Sequence, residues 1–252
     1  MKYFVLFVLI FTPPVCIQSL PIEQNFSQMD KFNSDKEDKY PDHTLWEFLL
    51  DKYVDDSGYV DYSGVLKDKQ ILEGYLNILK DNQPDQDWPK NEKLAYYINL
   101  YNAHTVHLIL VNYPTKSIKK ISDPWDQKLI PLQNDSISLG DLEHKILRKM
   151  GEPRIHFAIN CASASCPKLL NKAYLAENLD VQLHQAVKEF INSKRNQIRQ
   201  NHLKLSKIFK WYKKDFPNGD IHSYIDNYTN IDISQNAKVD YLEYDWNLNG
   251  TW

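Results

Sequence analysis

The chain has little glycine, no long basic run and no apolar run of membrane-spanning length. Only 7 of its 252 residues are glycine, which argues against a β-sandwich with many tight turns and favours a helix-rich globule. The apolar run at residues 3–11 is shorter than the ~20 residues that a transmembrane helix needs. The formal net charge is −3, which argues against a nucleic-acid-binding surface. We therefore expect no nucleic-acid partner and no stable membrane insertion.

The apolar run at residues 3–11 has the features of a secretory signal peptide. It follows Lys2 and is stopped by two consecutive prolines. We expect residues 1–19 to be this signal peptide, with Ser19 at the cleavage point. A lipid-anchored form through Cys16 and a retained anchor are the alternatives. The sequence therefore predicts a secreted, extracellular protein.

Four sequons agree with export, because none has proline at its middle position. They begin at Asn25, Asn134, Asn227 and Asn249. Residues 20–43 are mostly polar and charged, so they are predicted to form a flexible N-terminal arm. Residues 44–252 show no internal repeat and no low-complexity segment, and are predicted to form a single globular domain.

Hydrophobic periodicity predicts an α+β fold, a helix-rich single domain packed around a small sheet. The strongest helix signal covers residues 91–111, where apolar residues lie all round and predict burial on most sides. Asn99 and Asn102 then enter the interior together, either as a structural polar network or as the wall of a site. A capping pattern opens another helix at Ser138. Further helices are predicted at residues 44–53, 72–79, 179–192 and 203–213, and a closing strand at residues 239–246.

The segment 154–169 holds the residues best suited to chemistry. Residues 154–161 alternate as a strand does, and Cys166 directly precedes Pro167, which is favoured at the first position of a helix. A helix N-terminus lowers the pKa of a cysteine, and its amides, here near Ser165, could form an oxyanion hole. Cys166 is therefore the candidate nucleophile. With Cys161 it could instead form a disulfide in an oxidising compartment.

A nucleophilic cysteine also needs a base that a third group orients. The candidates for the base are His156 on the predicted strand and His144 on the preceding helix. The orienting group could be Glu143 or the amides of the buried helix. His104 and His107 are weaker candidates for the base. The spacing of the two cysteines does not match a usual zinc knuckle, so neither a metal nor a cofactor is expected.

Motifs in five places resemble the domain of unknown function 547 family. They lie at residues 97–103, 138–148, 154–167, 205–216 and 244–249, in that order along the chain. The similarity covers roughly residues 45–250. It implies a characteristic residue set of Asn99, Asn102, Glu143, His144, Arg148, Arg154, His156, Cys161, Ser165, Cys166 and Pro167. It implies no activity, because the family is named for the lack of an established one.

Three hypotheses about function remain open at this point. The first is a cysteine-dependent hydrolase or acyl transferase with Cys166 as nucleophile. The second is a non-catalytic extracellular binding domain with a Cys161–Cys166 disulfide, in which Arg148 and Arg154 bind an anionic ligand or partner. The third is thiol–disulfide exchange by both cysteines, although a closer Cys-x-x-Cys pair is more usual. The partner would be an unknown small molecule or an extracellular protein.

Overall fold

The computed structural model describes residues 39–251, and its first packed residues precede the first helix. The ring of Tyr40 packs against Trp88, with the ring centroids 5.0 Å apart. The packed part of the chain therefore begins slightly before residue 44, where the sequence predicts its start. The predicted signal peptide at residues 1–19, Cys16, the sequon at Asn25 and residues 20–38 of the predicted arm lie outside the described residues.

Eight α-helices and two small sheets form the described part of the chain. The α-helices are α1 (Thr44–Tyr53), α2 (Tyr62–Lys67), α3 (Lys69–Asp81), α4 (Lys90–Val111), α5 (Leu139–Asp141), α6 (Leu179–Ile191), α7 (Lys207–Trp211) and α8 (Ile221–Asp226). Helix α5 continues as a π-helix, Leu142–Ile146, and then as a 3₁₀-helix, Leu147–Met150. The other 3₁₀-helices are Ile118–Lys120, Pro153–Phe157, Lys213–Asp215 and Pro217–Gly219. The fold class is α+β and helix-rich, as the sequence predicts.

The strands are short and form one hairpin and one three-stranded sheet. They are β1 (Ile130–Leu132), β2 (Asp135–Ile137), β3 (Gln197–Arg199), β4 (His202–Leu205) and β5 (Lys238–Tyr241). Strands β1 and β2 are antiparallel, and Ile130 pairs with Ile137. In the second sheet β4 lies between antiparallel β3 and parallel β5, with Leu203 opposite Val239. The predicted closing strand is therefore present, but it ends at Tyr241.

Helix α4 runs through the interior, as its apolar circumference predicts. Buried residues occur on all its faces, among them Leu94, Ile98 and Leu108. Helices α2 and α3 pack on it, and α1 packs on both of these. The helix predicted at residues 91–111 is thus confirmed. Within residues 39–251, no helix combines the length and the apolar character needed to cross a membrane.

The buried apolar side chains form two clusters, which we call the first and the second core. Helices α1–α4 and the helical segment after Ser138 contribute to the first core. Strand β4, α7, α8 and the end of α6 form the second core, around an aromatic group of Phe157, Phe190, Phe209, Phe216 and Tyr224. Helix α6 belongs to both, because Leu183 lies in the first core and Val187 in the second. It therefore links the two cores.

Three predicted elements in the second half of the chain are wrong. Residues 154–161 form a 3₁₀-helix, Pro153–Phe157, and a loop instead of a strand. No helix follows Pro167 before α6 begins at Leu179. The predicted helix at residues 203–213 begins as strand β4, and α7 starts only after Ser206, whose side chain accepts a hydrogen bond from the amide of Ile208.

The side chains of α4 explain why the segment from residue 158 to residue 174 is irregular. Asn102 donates to the carbonyl of Ala158 and accepts from the amide of Asn160. Asn99 makes the same pair of bonds with the backbone of Tyr174. These buried amides supply the backbone partners that a strand or helix would otherwise supply. Asn99 and Asn102 therefore form a structural polar network, one of the two alternatives that the sequence leaves open.

The described sequons differ in exposure. Asn134, in the hairpin turn, and Asn227, after α8, are exposed. Asn249 is only 3% exposed, and its amide nitrogen donates to the carbonyl of Gly58. A glycan on Asn249 would need that nitrogen at the surface, so the prediction of glycosylation at Asn249 does not fit the folded chain.

Candidate functional site

A cavity of about 280 Å³ lies between the two cores and is lined by all four residues of the predicted catalytic set and by Cys161. Six aromatic side chains line it, namely Tyr101, Trp125, Trp211, Tyr212, Tyr244 and Trp246. Five side chains with titratable groups suited to chemistry also line it, namely Glu143, His144, His156, Cys161 and Cys166. We call it the aromatic cavity. Pockets of this kind, apolar with a few converging polar groups, are the usual form of ligand sites.

The two cysteines are in direct contact on the wall of the aromatic cavity. Their Sγ atoms lie 2.7 Å apart, and both are free thiols. The disulfide predicted between Cys161 and Cys166 is therefore not formed in this structure. Cys166 is buried, whereas Cys161 is partly exposed. We refer to these two residues as the thiol pair.

Hydrogen bonds favour the negative charge on one sulfur of the thiol pair. The amide of Cys161 donates to Cys166 Sγ at 3.0 Å, and the Tyr244 hydroxyl donates to the same atom at 3.4 Å. Burial alone would raise the pKa of Cys166, but hydrogen bonds from Cys161, Tyr244 and Ser163 lower it below the usual range of a thiol. The pKa of Cys161 is raised, first by its bond to Cys166 and then by burial. The pair thus holds one proton between two sulfurs.

The loop at residues 160–167, the cysteine loop, is held from both sides. Asn160 donates to the carbonyl of Pro167 and accepts from the amide of Ala162, which closes the loop across its base. Ala162 has φ 58, a left-handed conformation that is unfavourable for alanine. On the other side the amides of Ala164 and Ser165 donate to the carbonyls of Asn247 and Asp245. The C-terminal segment therefore fixes the position of both sulfurs.

A chain of polar contacts leads from the cavity mouth to a buried histidine. Arg148 donates to both carboxylate oxygens of Asp215, at 2.6 and 2.8 Å, and lies 3.2 Å from His144 Nδ1. His156 Nε2 lies 2.8 Å from Asp215 Oδ2. Arg148 holds the pKa of Asp215 below its usual range. This carboxylate therefore orients His156, and its negative charge is already paired with Arg148.

His156 is a neutral, oriented ring at physiological pH. It is 3% exposed and stacks on Tyr212 with ring centroids 3.9 Å apart. Burial lowers the pKa of His156 to about 4, although the hydrogen bond to Asp215 acts in the opposite direction. With Nε2 directed at Asp215, Nδ1 is the remaining ring nitrogen, and it has no hydrogen-bond partner among the described residues.

Glu143 brings a carboxylate to the same cavity from an unusual helical turn. It lies in the π-helix Leu142–Ile146, and such turns are rare and frequent at functional sites. Glu143 is 5% exposed, its Oε2 accepts a long bond of 3.4 Å from the Tyr101 hydroxyl, and the Tyr212 hydroxyl also interacts with the carboxylate. Oε1 has no hydrogen-bond partner among the described residues, and His144 Nδ1 lies 3.8 Å from it. Buried carboxylates normally have partners, so this one is available to a ligand.

Two parts of the predicted acyl-transfer site are absent from the structure. Among residues 39–251, neither cysteine makes a hydrogen bond to a histidine. The oxyanion hole expected at a helix N-terminus is missing, because no helix starts at Pro167. The nearby amides of Ser165 and Cys166 donate to backbone carbonyls of Asp245 and Ser163. Cys166, His156, His144 and Glu143 line one cavity, but they do not form a nucleophile–base pair.

The predicted binding residues are mostly engaged within the protein. Arg154 binds Glu152 and Asp180, and Arg148 binds Asp215, so neither guanidinium is left for an anionic ligand. The Ser165 hydroxyl accepts from the amide of Asp245. His104 and His107 lie on α4 and do not line the aromatic cavity. No group of three or more His, Cys, Asp or Glu side chains that could hold a metal ion occurs within residues 39–251.

Several residues that complete the site have no role predicted from the sequence. They are Tyr101, Trp125, Asp215, Trp211, Tyr212, Tyr244 and Trp246. All but Trp125 stand inside the motifs at residues 97–103, 205–216 and 244–249. The aromatic and acidic residues of these three motifs therefore indicate the rest of the site in the sequence. Trp125 lies in a loop segment without periodicity, and nothing in the sequence marks it.

Comparison with known families gives one match. Residues 86–191 match the family model described as "Protein of unknown function, DUF547". This match covers less than half of the chain. It is narrower than residues 45–250, the range over which the sequence motifs resemble the family. Comparisons with curated proteins and with solved structures found no match.

The DUF547 match covers one side of the aromatic cavity and the entire cysteine loop. It includes α4, the hairpin, the π-helix with Glu143 and both residues of the thiol pair. The other wall, with Trp211, Tyr244 and Trp246, lies beyond the matched residues. The DUF547 match supports the resemblance seen in the motifs, and it assigns no activity.

Proposed function

We propose that this protein is a thiol–disulfide exchange protein that uses Cys166 and Cys161 as a redox-active dithiol. The observation that carries this proposal is the contact of the two Sγ atoms, 2.7 Å apart, on the wall of a cavity. A bonded sulfur pair is separated by about 2.05 Å, so only a small movement joins them. Exchange also needs a thiolate, and the hydrogen bonds at Cys166 favour that form.

The reaction has two steps in which the dithiol is oxidised and the substrate disulfide is reduced. The Cys166 thiolate attacks one sulfur of the substrate, forms a mixed disulfide and releases the first substrate thiolate, which takes up a proton. Cys161 loses its proton and attacks Cys166 Sγ. This step releases the second substrate thiol and leaves a Cys161–Cys166 disulfide. The reverse sequence oxidises a dithiol substrate.

Mass spectrometry of cysteine variants tests this proposal. The reduced protein is mixed with 2-hydroxyethyl disulfide, a small neutral substrate. We expect the wild type to lose two hydrogens, Cys161→Ser to stop at a mixed disulfide on Cys166, and Cys166→Ser to react far more slowly. Each variant serves as the control for the other. The proposal fails if the wild type keeps two alkylatable thiols after this treatment.

A cysteine-dependent hydrolase or acyl transferase is the second candidate, and one observation favours it. Asp215 orients His156, and the ring nitrogen Nδ1 has no hydrogen-bond partner among the described residues. Movement of Cys166 towards this nitrogen would create the pair that a nucleophile needs. The pKa of about 4 makes His156 a weak base, which is why we rank this function second.

The two candidates differ in their need for Cys161. If the protein catalyses acyl transfer, the Cys161→Ser variant should still cleave an activated ester such as p-nitrophenyl acetate. The Cys166→Ser and His156→Gln variants should not cleave it. Disulfide exchange ends at the mixed disulfide in Cys161→Ser and does not need the base. Burst kinetics with the ester would favour the hydrolase. Equal rates of ester cleavage in all three variants would exclude the hydrolase function.

The predicted export of the chain agrees with a redox function. Stable disulfides occur mainly in secreted and extracellular proteins, where substrates for exchange are present. We include secretion, with residues 1–19 as the signal peptide, in the proposal. Detection of the mature protein in the medium of expressing cells, starting near residue 20, tests this part.

A further inference from the structure

The basic side chains that line the aromatic cavity are two imidazoles, those of His144 and His156. Glu143 and the thiol pair supply negative charge, and no lysine or arginine is among the lining residues. His156 is neutral at pH 7, because burial lowers its pKa to about 4. The nearest guanidinium, that of Arg148, is bound to both oxygens of Asp215. Two cations lie beside the wall, Arg148 over the Tyr212 ring and Lys119 over the Trp246 ring, but neither is among the lining residues.

The carboxylate of Glu143 lacks the partner that its burial requires. Glu143 Oε1 is buried without a hydrogen-bond donor among residues 39–251. Oε2 accepts the long bond from Tyr101, and the neutral Tyr212 hydroxyl also interacts with the carboxylate. The imidazole of His144 is 3.8 Å from Oε1, beyond hydrogen-bond distance, and forms an ion pair with it only in the protonated state. An unpaired buried charge is unfavourable, and an incoming cation would compensate it.

The aromatic rings add a second attraction for a cation. Trp211, Tyr244 and Trp246 pack mutually, with centroid distances from 4.6 to 5.9 Å. Lys119 already places its ammonium group 5.1 Å from the centre of the Trp246 ring, which shows that this cluster attracts positive charge. Several aromatic rings and a carboxylate line the same cavity, and aromatic cages of this kind recognise alkylammonium groups.

We propose that the aromatic cavity binds an alkylammonium group, with Glu143 as its counter-charge and the aromatic rings as its walls. The substrate of the thiol pair is then a disulfide or thiol that carries an organic cation. A neutral apolar substituent would use the rings but leave the carboxylate unpaired. An anionic substituent would be repelled by both Glu143 and the thiolate. The redox part of this inference rests on the proposed function, whereas the cation site does not.

Three small disulfides of different charge test the substrate preference. They are cystamine with two ammonium groups, neutral 2-hydroxyethyl disulfide and 3,3′-dithiodipropionate with two carboxylates. Each rate is divided by the rate of the same disulfide with a free small thiol, which removes differences in intrinsic reactivity. We expect the corrected rate of the wild type to be at least tenfold higher for cystamine than for the neutral disulfide, and lowest for the dianion.

Two substitutions of glutamate and one of tryptophan distinguish the effect of Glu143 on this rate ratio from the effect of the net charge of the protein. We call the corrected rate for cystamine divided by that for the neutral disulfide the cystamine preference. Glu143→Gln keeps the shape of the side chain and should bring this ratio close to one. Glu73→Gln removes a carboxylate whose partner is Lys69 on α3 and should leave the preference unchanged. Trp211 is 46% exposed, so Trp211→Leu should fold even if Glu143→Gln does not, and should lower the preference severalfold.

Tetramethylammonium chloride provides a readout without redox chemistry. We expect it to slow alkylation of the thiol pair by iodoacetamide, relative to sodium chloride at the same ionic strength, in the wild type and not in Glu143→Gln. Such protection without exchange of any disulfide would support the cation site and reject the redox function. Exchange that depends on Cys166 but shows neither a cystamine preference nor protection would overturn the cation site alone.

Discussion

At the scale of single residues, the Tyr244 hydroxyl donates a hydrogen bond to the Cys166 sulfur from outside the cysteine loop. The O–S distance is 3.4 Å. A hydrogen bond to a charged group contributes about 1.5 kcal/mol, and 1.36 kcal/mol corresponds to one pKa unit. We therefore expect Tyr244→Phe to raise the pH midpoint for alkylation of the thiol pair by up to about one unit.

The matched control for Tyr244→Phe is Tyr241→Phe. Tyr241 lies on β5, is partly buried and does not line the aromatic cavity. The rate of reaction with iodoacetamide is measured from pH 5 to pH 10 for both variants and the wild type. An unchanged midpoint in Tyr244→Phe would show that the hydroxyl does not stabilise the thiolate.

Asn160 carries the second prediction at this scale, because its amide closes the cysteine loop. It is 4% exposed and bonds the amide of Ala162 and the carbonyl of Pro167. Asn160→Ala leaves these backbone groups unpaired, each at a cost of about 1–3 kcal/mol if water does not reach them. We expect a loss of at least about 2 kcal/mol in urea unfolding, together with faster alkylation of both thiols.

An exposed asparagine gives the control for Asn160→Ala. Asn82 bonds the carbonyl of Ile78 at the end of α3, where water can replace the lost bond. Asn82→Ala should change the free energy of unfolding by less than about 0.5 kcal/mol. Equal effects of the two substitutions would contradict the role given to Asn160.

At the scale of elements, the sequence predicts best where the pattern is local. The apolar circumference of α4 and the capping box of Ser138 and Asp141 are local signals, and both elements are present. The irregular segment after Phe157 depends on Asn99 and Asn102, which act from more than fifty positions away in the chain. Alternation in this segment resembles a strand, but none of the strands within residues 39–251 pairs with it.

The same distinction applies to the site. The residues of the thiol pair and Glu143, His144 and His156 could be selected from the sequence because their chemistry is distinctive. Their mutual arrangement could not be predicted, because Asp215 and Tyr244 reach them only through the tertiary fold. The helix dipole expected at Cys166 is absent, and hydrogen bonds from Cys161 in the same loop and from the distant Tyr244 lower its pKa instead.

The π-helix that holds Glu143 gives a prediction at the scale of elements. A π-turn contains one residue more than an α-turn and is less stable intrinsically. Lys145 lies in this turn with its side chain 75% exposed. Deletion of Lys145 should produce an α-helical turn, keep the melting temperature within a few degrees and displace Glu143. The cystamine preference should therefore fall while exchange of the neutral disulfide continues.

A deletion in an ordinary α-helix is the control for the π-helix. Asn77 is exposed in the middle of α3, and its removal rotates the buried Leu79 by about 100° relative to the preceding turns. Deletion of Asn77 should strongly destabilise the fold. A similar loss of stability in the Lys145 deletion would mean that the π-turn is structurally required, and not retained for the site.

At the scale of the whole molecule, the two cores explain why the cavity lies where it does. Tyr101 and Glu143 approach from the side of the first core, and Ile208 and Tyr212 from the side of the second. The C-terminal segment adds Tyr244 and Trp246. Because no one element forms the site, any loosening of the two cores should also alter the thiol pair.

Acid is the condition under which such loosening is expected for the whole fold. Burial lowers the pKa of His43 to about 4, of His104 to about 3 and of His156 to about 4. In the unfolded chain these side chains have a pKa of about 6.5. Below that pH the unfolded state binds more protons, so the free energy of unfolding decreases as the pH falls from about 6.5 towards 4. Each histidine contributes up to ~1.4 kcal/mol per pH unit in this range.

His104 isolates one part of this pH dependence, because it lies on α4 outside the aromatic cavity. His104→Gln removes one proton-binding group from the unfolded state, so the slope of stability against pH near pH 5 should decrease by up to ~1.4 kcal/mol per unit. Urea unfolding at pH 5, 6 and 7 measures this slope. The exposed His184 provides the control, and His184→Gln should leave the slope unchanged. If His104→Gln keeps the wild-type slope, His104 is not neutral in the folded protein, and burial on α4 does not lower its pKa.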